Sequence, residues 1–267
     1  MGLTSSEFYS VLIIGSFWLI IYTVAYLINR SFIQRWAIVT RCLSINHAVI
    51  VSFGVISLLG QCSPSQIVDI SFCGEEAENR TARINIVMMT YLCVDLLFAF
   101  IEATRKTSIG IKHYLDLTNI AHHVVGAVSM YAFITNRVLR VNSLFYAMTE
   151  ISTIPLHISW IIKQELDRPS SSDALATPTI ITKERLKLAL LIFGGLTWLS
   201  FFLFRIVGSY LMVGWLVYYW SYIKDYSLVI ITFTIVGNGI LFFLNNLWFY
   251  RLTRMIFLSR KKTIKME

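Results

Sequence analysis

Seven predominantly apolar stretches, each about the length an α-helix needs to cross roughly 30 Å of hydrocarbon, divide this chain almost from end to end. They run from about Phe8 to Ile28, Leu43 to Gly60, Ile84 to Thr104, Thr118 to Thr135, Val141 to Ile162, Leu188 to Trp215 and Tyr226 to Tyr250. A backbone in lipid finds no water, so each stretch must satisfy its own N–H and C=O groups; these lengths do so as helices and are too long for barrel strands. The expected fold class is all-α, a polytopic membrane protein with about seven transmembrane helices. Only 14% of the 267 residues are charged, where about 25% is ordinary for a soluble domain.

The first stretch is longer than a signal-peptide core, has no basic residues before it and is followed by Arg30 and Arg35, so it is expected to stay as a helix. The net charge of +8 would suit a nucleic-acid ligand only if the basic residues gathered on one surface; instead they sort by topology. Segments on the same side as the C-terminus hold 17 Lys and Arg residues and the opposite segments hold 5. The positive-inside rule then places the C-terminus in the cytosol and the N-terminus on the lumenal or extracellular side. No nucleic-acid partner is expected.

The second connection carries Asn79-Arg80-Thr81, a glycosylation acceptor sequence, together with Cys62 and Cys73. Glycosylation and disulfide formation both require the side on which charge sorting puts this loop. Spacing permits a Cys62 to Cys73 disulfide, and two free thiols are the other reading. Cys42 and Cys93 read as helix-packing residues. The connection around Asp167 to Thr182 is rich in Ser, Thr and Pro.

Ionisable side chains inside hydrocarbon are costly and point to function. At about 1.5 Å per helical residue, His47, His122, His123, His157, Asn245 and Asn246 fall within about 8 Å of the cytosolic ends of their helices, and Asp95 and Glu150 about 14 and 18 Å deep. Asp95 and Glu102 are seven residues apart, as are Glu150 and His157, which returns each pair to one helix face. Such stripes suit helices lining a shared cavity open toward the cytosol. Bland readings stand beside these. His47 and His157 suit neutral imidazoles bonded to backbone, Glu102 suits a snorkelling side chain, and Asn238 between Gly237 and Gly239 suits close helix packing. Arg205, by its position along the sixth stretch, is expected to reach the outer interface or to pair with an acid. The adjacent His122 and His123 point about 100° apart, so one packing need does not place both.

An imidazole beside a cytosol-facing cavity can take a proton from an amine or hydroxyl, or attack a thioester, with Asp95 or Glu150 orienting it. The vicinal pair lacks the i, i+4 spacing of two metal ligands on one helix face, and no metal is expected. No phosphate-binding or dinucleotide glycine pattern and no nucleophile elbow appears, so no tightly bound cofactor is expected. A seven-helix receptor is disfavoured because the third stretch lacks an Asp-Arg-Tyr ending and the seventh lacks Asn-Pro-x2-Tyr.

Taken in order, Arg41-x5-His47, Asp95, Asp116-x5-His122-His123, Glu150-Ile151-Ser152, Pro155, Phe204-Arg205-Ile206 and Asn245-Asn246-Leu247-Trp248 resemble the TLC-domain family of translocating-chain-associating proteins and ceramide synthases. The chain looks most similar to the small TLC-domain-containing branch. The resemblance implies residues 1–34 as lumenal tail and first helix, 35–258 as a six-helix TLC domain around a lipid cavity, and 259–267 as a basic cytosolic tail. It further implies the endoplasmic reticulum, with the plasma membrane as the other location. In the ceramide synthases the paired histidines belong to the acyl-transfer site, and His122 and His123 match that pair. The candidate catalytic residues are therefore His122, His123 and Glu150, and the candidate substrate-binding residues His47, Asp95, His157, Arg205, Asn245 and Asn246. Acyl-CoA is the implied co-substrate and a lipid amine or hydroxyl the acceptor. The synthases carry paired aspartates after the histidines, whereas this chain offers Glu150 there. Both a different acceptor and a non-catalytic role in lipid homeostasis or as a chaperone therefore stay open. Expected partners are membrane lipids, a second copy of the chain or other membrane proteins.

Overall fold

A computed structural model describes residues 3–29, 33–61, 74–108, 117–136, 140–167, 180–225 and 228–264. Every described segment is helical, and no strand occurs among them. The helices are α1 (Ser5–Asn29), α2 (Ile33–Leu59), α3 (Glu75–Ser108), α4 (Leu117–Thr135), α5 (Arg140–Thr149), α6 (Thr153–Leu166), α7 (Ile180–Ser200), α8 (Gly208–Tyr218), α9 (Trp220–Ile223) and α10 (Leu228–Ile264). By length and composition four spans suit a membrane crossing, Ser5–Ile28, Trp36–Leu59, Glu75–Ile101 and Lys183–Tyr218, and Ile120–Thr135 is a shorter apolar helix. The expected all-α polytopic membrane fold is what the structure shows.

Local chemistry sets the helix starts. Thr4 and Glu7 form a capping box at α1: the Thr4 N–H donates to Glu7 Oε2 at 2.8 Å, and the Glu7 N–H donates to Thr4 Oγ1 at 3.3 Å. Gly74 precedes α3 with φ +100°, a conformation that other residues rarely adopt, and a Cβ there would meet nothing within 4 Å. Glycine is required by the backbone turn and not by crowding. Glu75, Glu76 and Glu78 follow in the first turn, where carboxylates suit the positive end of the helix dipole.

Two helices are interrupted, and both interruptions matter below. The fifth stretch breaks into α5, a 3₁₀ turn at Glu150–Ser152 and α6. Pro155 has no N–H to give the carbonyl four residues back, at Ile151, and its ring crowds that turn, so regular α-helix stops here. Thr149 and Ser152 hydroxyls donate to the Tyr146 and Thr149 carbonyls, at 2.6 and 2.7 Å. The sixth stretch passes from α7 through a π-helical segment, Phe201–Val207, into α8.

Helix α3 packs against α1, α2, α4 and α5, while α6 lies between α2 and α7, and α10 lies on α4 and the π-helical segment. Side chains pointing away from these contacts are large and apolar, such as Ile13, Ile28, Phe53 and Leu191. In lipid such an outer face needs no polar cover. Cys42 and Cys93, expected to pack, are on this exposed face; each is carried on the side of its helix turned from the bundle.

Asn238 and its glycines divide their work. The Tyr146 hydroxyl donates to Asn238 Oδ1, and Asn238 Nδ2 donates to the Thr234 carbonyl at 2.5 Å. A Cβ on Gly237 would sit 3.0 Å from Ser129 Oγ and 3.7 Å from Val125, so α10 approaches α4 closely only because this residue is glycine. A Cβ on Gly239 would meet nothing within 4 Å. Gly237→Leu is therefore expected to lower the thermal unfolding midpoint of the purified protein in detergent. Gly239→Ala should leave it unchanged or raise it, since alanine is favoured over glycine inside a helix by about 0.5–1 kcal/mol. Equal effects of the two substitutions would contradict this packing.

Candidate functional site

The two acids, three of the imidazoles and Arg205 that the sequence singled out line one cavity. Its volume is about 440 Å³, inside the range of about 300–1,000 Å³ usual for small-molecule sites. It lies among α2, α3, α4, α6, the π-helical segment and α10, at the end where α2 starts and α3 finishes. Asp95 and Glu150 supply the acids, His122, His123 and His157 the imidazoles, and Arg41, Arg205 and Arg251 the cations. Leu92, Leu156, Phe201, Leu252 and Met255 supply apolar wall.

Asp95 is held from two helices. Tyr22 on α1, 0% exposed, donates its hydroxyl to Asp95 Oδ1 at 2.6 Å. On the other side Asp95 Oδ2 lies 3.3 Å from His123 Nδ1, close enough for attraction but not aligned as a hydrogen bond. With Nδ1 facing the acid, Nε2 of His123 is the nitrogen left to the cavity. His122 turns away from its neighbour: the two rings are 5.8 Å apart at 67°, and His122 sets its edge against Trp248 at 5.2 Å. Its Nδ1 is buried without a hydrogen-bond partner. The adjacent pair thus divides, one ring oriented by an acid and the other by an aromatic face.

The irregular helix turns meet at Arg205. Its Nε donates to Ser152 Oγ at 2.8 Å and its Nη2 to Thr153 Oγ1 at 3.1 Å, both at the 3₁₀ break. Its Nη1 reaches Asn245 Oδ1 on α10 at 3.5 Å. The guanidinium lies over Phe201 at 4.9 Å and Trp248 at 5.8 Å. Expected at an outer interface or beside an acid, Arg205 is instead buried mid-bundle among neutral acceptors. Counting residues along the stretch gives a depth but not the side of the helix, and the π-helical segment turns Arg205 toward the 3₁₀ break and α10. Arg41 stands at the cavity's other wall, Nη1 3.4 Å from His157 Nδ1 and its guanidinium 5.1 Å over Trp160.

Other expected residues are placed differently. His47, 1% exposed, does not line the cavity; it stacks on Tyr91 at 3.8 Å and 9°, its Nδ1 3.8 Å from Glu150 Oε2. Asn245 is also behind the wall, donating to Ser209 Oγ at 3.1 Å, and Ser209 in turn donates to the Arg205 carbonyl. Asn246 donates to the Phe242 carbonyl of its own helix at 2.8 Å. Asn79 is exposed at the far end of α3, and Thr81 of the same sequon is buried, donating to the Ala77 carbonyl at 2.8 Å. Cys62, Cys73 and the Glu102 side chain lie outside the described residues. Among the described residues no group of three or more His, Cys, Asp or Glu side chains is arranged to hold a metal ion.

The TLC-domain sequence model of the TRAM, LAG1 and CLN8 grouping matches residues 35–254. The chain belongs to the TLC-domain family. No curated protein and no solved structure gives a significant match. The matched TLC domain begins at α2, yet α1 outside it completes the surroundings of Asp95 through Tyr22. Nothing in the sequence marks that tyrosine, because its partner is 73 positions away. Tyr91, one turn before Asp95 on α3, was legible in principle from i, i+4 spacing. Its hydroxyl lies 2.7 Å from Ser44 Oγ on α2.

Tyr22→Phe removes a hydrogen bond to a half-buried acid and is expected to destabilise the protein by about 1.5–3 kcal/mol, read as a lowered unfolding midpoint. Tyr218→Phe, on an exposed residue, should leave the midpoint in place. Indistinguishable midpoints would mean that the Tyr22 to Asp95 bond contributes nothing.

Proposed function

We propose that this TLC-domain protein acts in membrane lipid metabolism as a His-dependent acyltransferase, moving an acyl chain from acyl-CoA to a lipid amine or hydroxyl. The observation that carries this reading is the Asp95–His123 pair at the cavity wall, with His122 beside it. Asp95 orients the His123 imidazole, the part an acid plays behind a catalytic histidine. The imidazole takes the proton of the acceptor amine or hydroxyl as that group attacks the thioester carbonyl. The carbonyl π electrons move to oxygen, and their return breaks the carbon–sulfur bond. The departing thiolate takes the proton back from the imidazolium, so the products are the acylated lipid and free coenzyme A. Glu150 and His122 flank the reacting groups.

The charge sorting supports a cavity mouth on the cytosolic side with the N-terminus lumenal, and the family resemblance supports the endoplasmic reticulum as the membrane. On that side acyl-CoA reaches the cavity past Arg251.

Replacing both His122 and His123 by Ala is expected to change cellular lipid species while the protein still accumulates in membranes. With a defined donor and acceptor, His123→Ala should lower transfer about 10²–10⁴-fold, the usual contribution of a general base. Unaltered lipid profiles at normal protein level would overturn the catalytic reading. A second reading is favoured by the single Glu150 where the synthases carry paired aspartates: the cavity binds a lipid without turnover and adjusts membrane composition. Purified protein that retains lipid but shows no transfer across acyl-CoA donors would establish it.

A further inference from the structure

Arg205 carries its charge in a span apolar and long enough to cross a membrane, and it is 5% exposed. A buried charge is tolerated when an opposite charge or a full set of hydrogen bonds replaces water. Arg205 has neither. Its three side-chain acceptors, on Ser152, Thr153 and Asn245, are all neutral, and among the described residues two of the five guanidinium N–H bonds have no acceptor. Among the described residues no carboxylate stands at ion-pairing distance from it. Glu150 attracts it from further away and turns its Oε2 toward His47.

The unused donors belong to a group that lines the cavity. Beside it the buried Nδ1 of His122 also lacks a hydrogen-bond partner, and Trp248 lies against both the imidazole and the guanidinium. Phe201, Leu156, Leu252 and Met255 give the same cavity apolar wall, alongside His157 and Arg251. Cationic and apolar groups in one cavity match an amphiphile, its head at a guanidinium and its chain on the apolar wall. A planar guanidinium with adjacent free donors recognises an oxyanion. A volume of about 440 Å³ is at the smaller end for ligand sites and suits one chain.

We propose that Arg205 is the receptor for the oxyanion head of a single-chain lipid, a carboxylate or a phosphate, whose chain lies along the apolar wall. The inference rests on reading the cavity as a lipid site and is independent of the transfer chemistry.

The test uses the full-length protein purified in neutral detergent, with binding measured by native mass spectrometry. The probes are oleate, oleoyl lysophosphatidic acid and oleyl alcohol, which share a chain and differ in the head. At least one anionic lipid should bind tenfold or more tighter than the alcohol, and which one does so identifies the head. Arg205→Gln should reduce that preference below threefold while leaving alcohol binding unchanged, and Arg205→Lys should keep part of it. If Arg205→Gln does not fold, the wild-type comparison still tests the anionic preference, and Arg205→Lys carries the assignment: a preference left at the wild-type level would overturn it. Equal binding of all three lipids, or a preference that survives Arg205→Gln, would overturn the assignment and leave the lipid cavity standing. Failure of all three to bind would overturn the lipid cavity as well. Coenzyme A alone displacing the anionic lipid as well as a second lipid does would move the oxyanion to a soluble donor and also overturn the proposal.

Discussion

A guanidinium buried between helices depends on neighbours that can bring oxygen atoms to it, and Arg205 shapes the bundle through that demand. Regular α-helix spends its carbonyls and buries its short hydroxyls along its own axis. The 3₁₀ break before Pro155 instead presents Ser152 and Thr153 together, both as acceptors for Arg205. The π-helical segment that carries Arg205 is the matching irregularity on the opposite wall, of the kind found at functional sites. Asn245 closes the third side from α10 and is itself tied through Ser209 to the Arg205 carbonyl. Two helix defects and a buried asparagine thus belong to one arrangement, which also forms part of the cavity wall.

Asp95 plays the complementary part on the other wall. Between Tyr22 and His123 it links α1, α3 and α4, and around it Trp18, Trp36, Tyr91 and Phe98 form an aromatic cluster. Aromatic rings supply bulk and fixed geometry at this crossing, and tyrosine adds one polar end where an acid needs a donor. The cluster keeps lipid away from the acid while leaving the His123 side open to the cavity. Since His122 leans on Trp248, one ring of the adjacent pair faces Asp95 and the other packs beside Arg205.

Much of the fold was legible because hydrocarbon permits few solutions. Apolar stretches of helix-spanning length announce themselves, and α1, α2, α3 and the long α7 to α8 run follow from them. The cavity was legible in part. Asp95, Glu150, His122, His123 and His157 are conspicuous as ionisable residues in apolar surroundings, and they do converge. His47 and Asn245 were equally conspicuous and yet stand behind the wall, while Asn246 turns to its own backbone. Polarity identifies a residue that needs a partner but does not say whether that partner is a ligand, a neighbouring ring or a carbonyl. Tyr22 and Thr153 drew no attention because tyrosine and threonine are ordinary in membrane helices.

The sequence by itself determined that the chain is helical and membrane-embedded, that its basic residues sort to one side, and that its intramembrane acids and histidines cluster toward one end. Those properties follow from segment length and from the cost of exposing backbone or charge to lipid, both of which act locally along the chain. Only the tertiary structure decided which polar groups meet. The rotation of each helix about its axis depends on close contacts such as Gly237 against Ser129, and on the changes of phase at the 3₁₀ break and the π-helical segment. A small shift in phase turns a side chain from cavity to packing. Arg205 shows the consequence most fully: its position in the sequence pointed to an outer interface or an acid partner, and the phase of the π-helical segment placed it in the cavity wall among neutral acceptors.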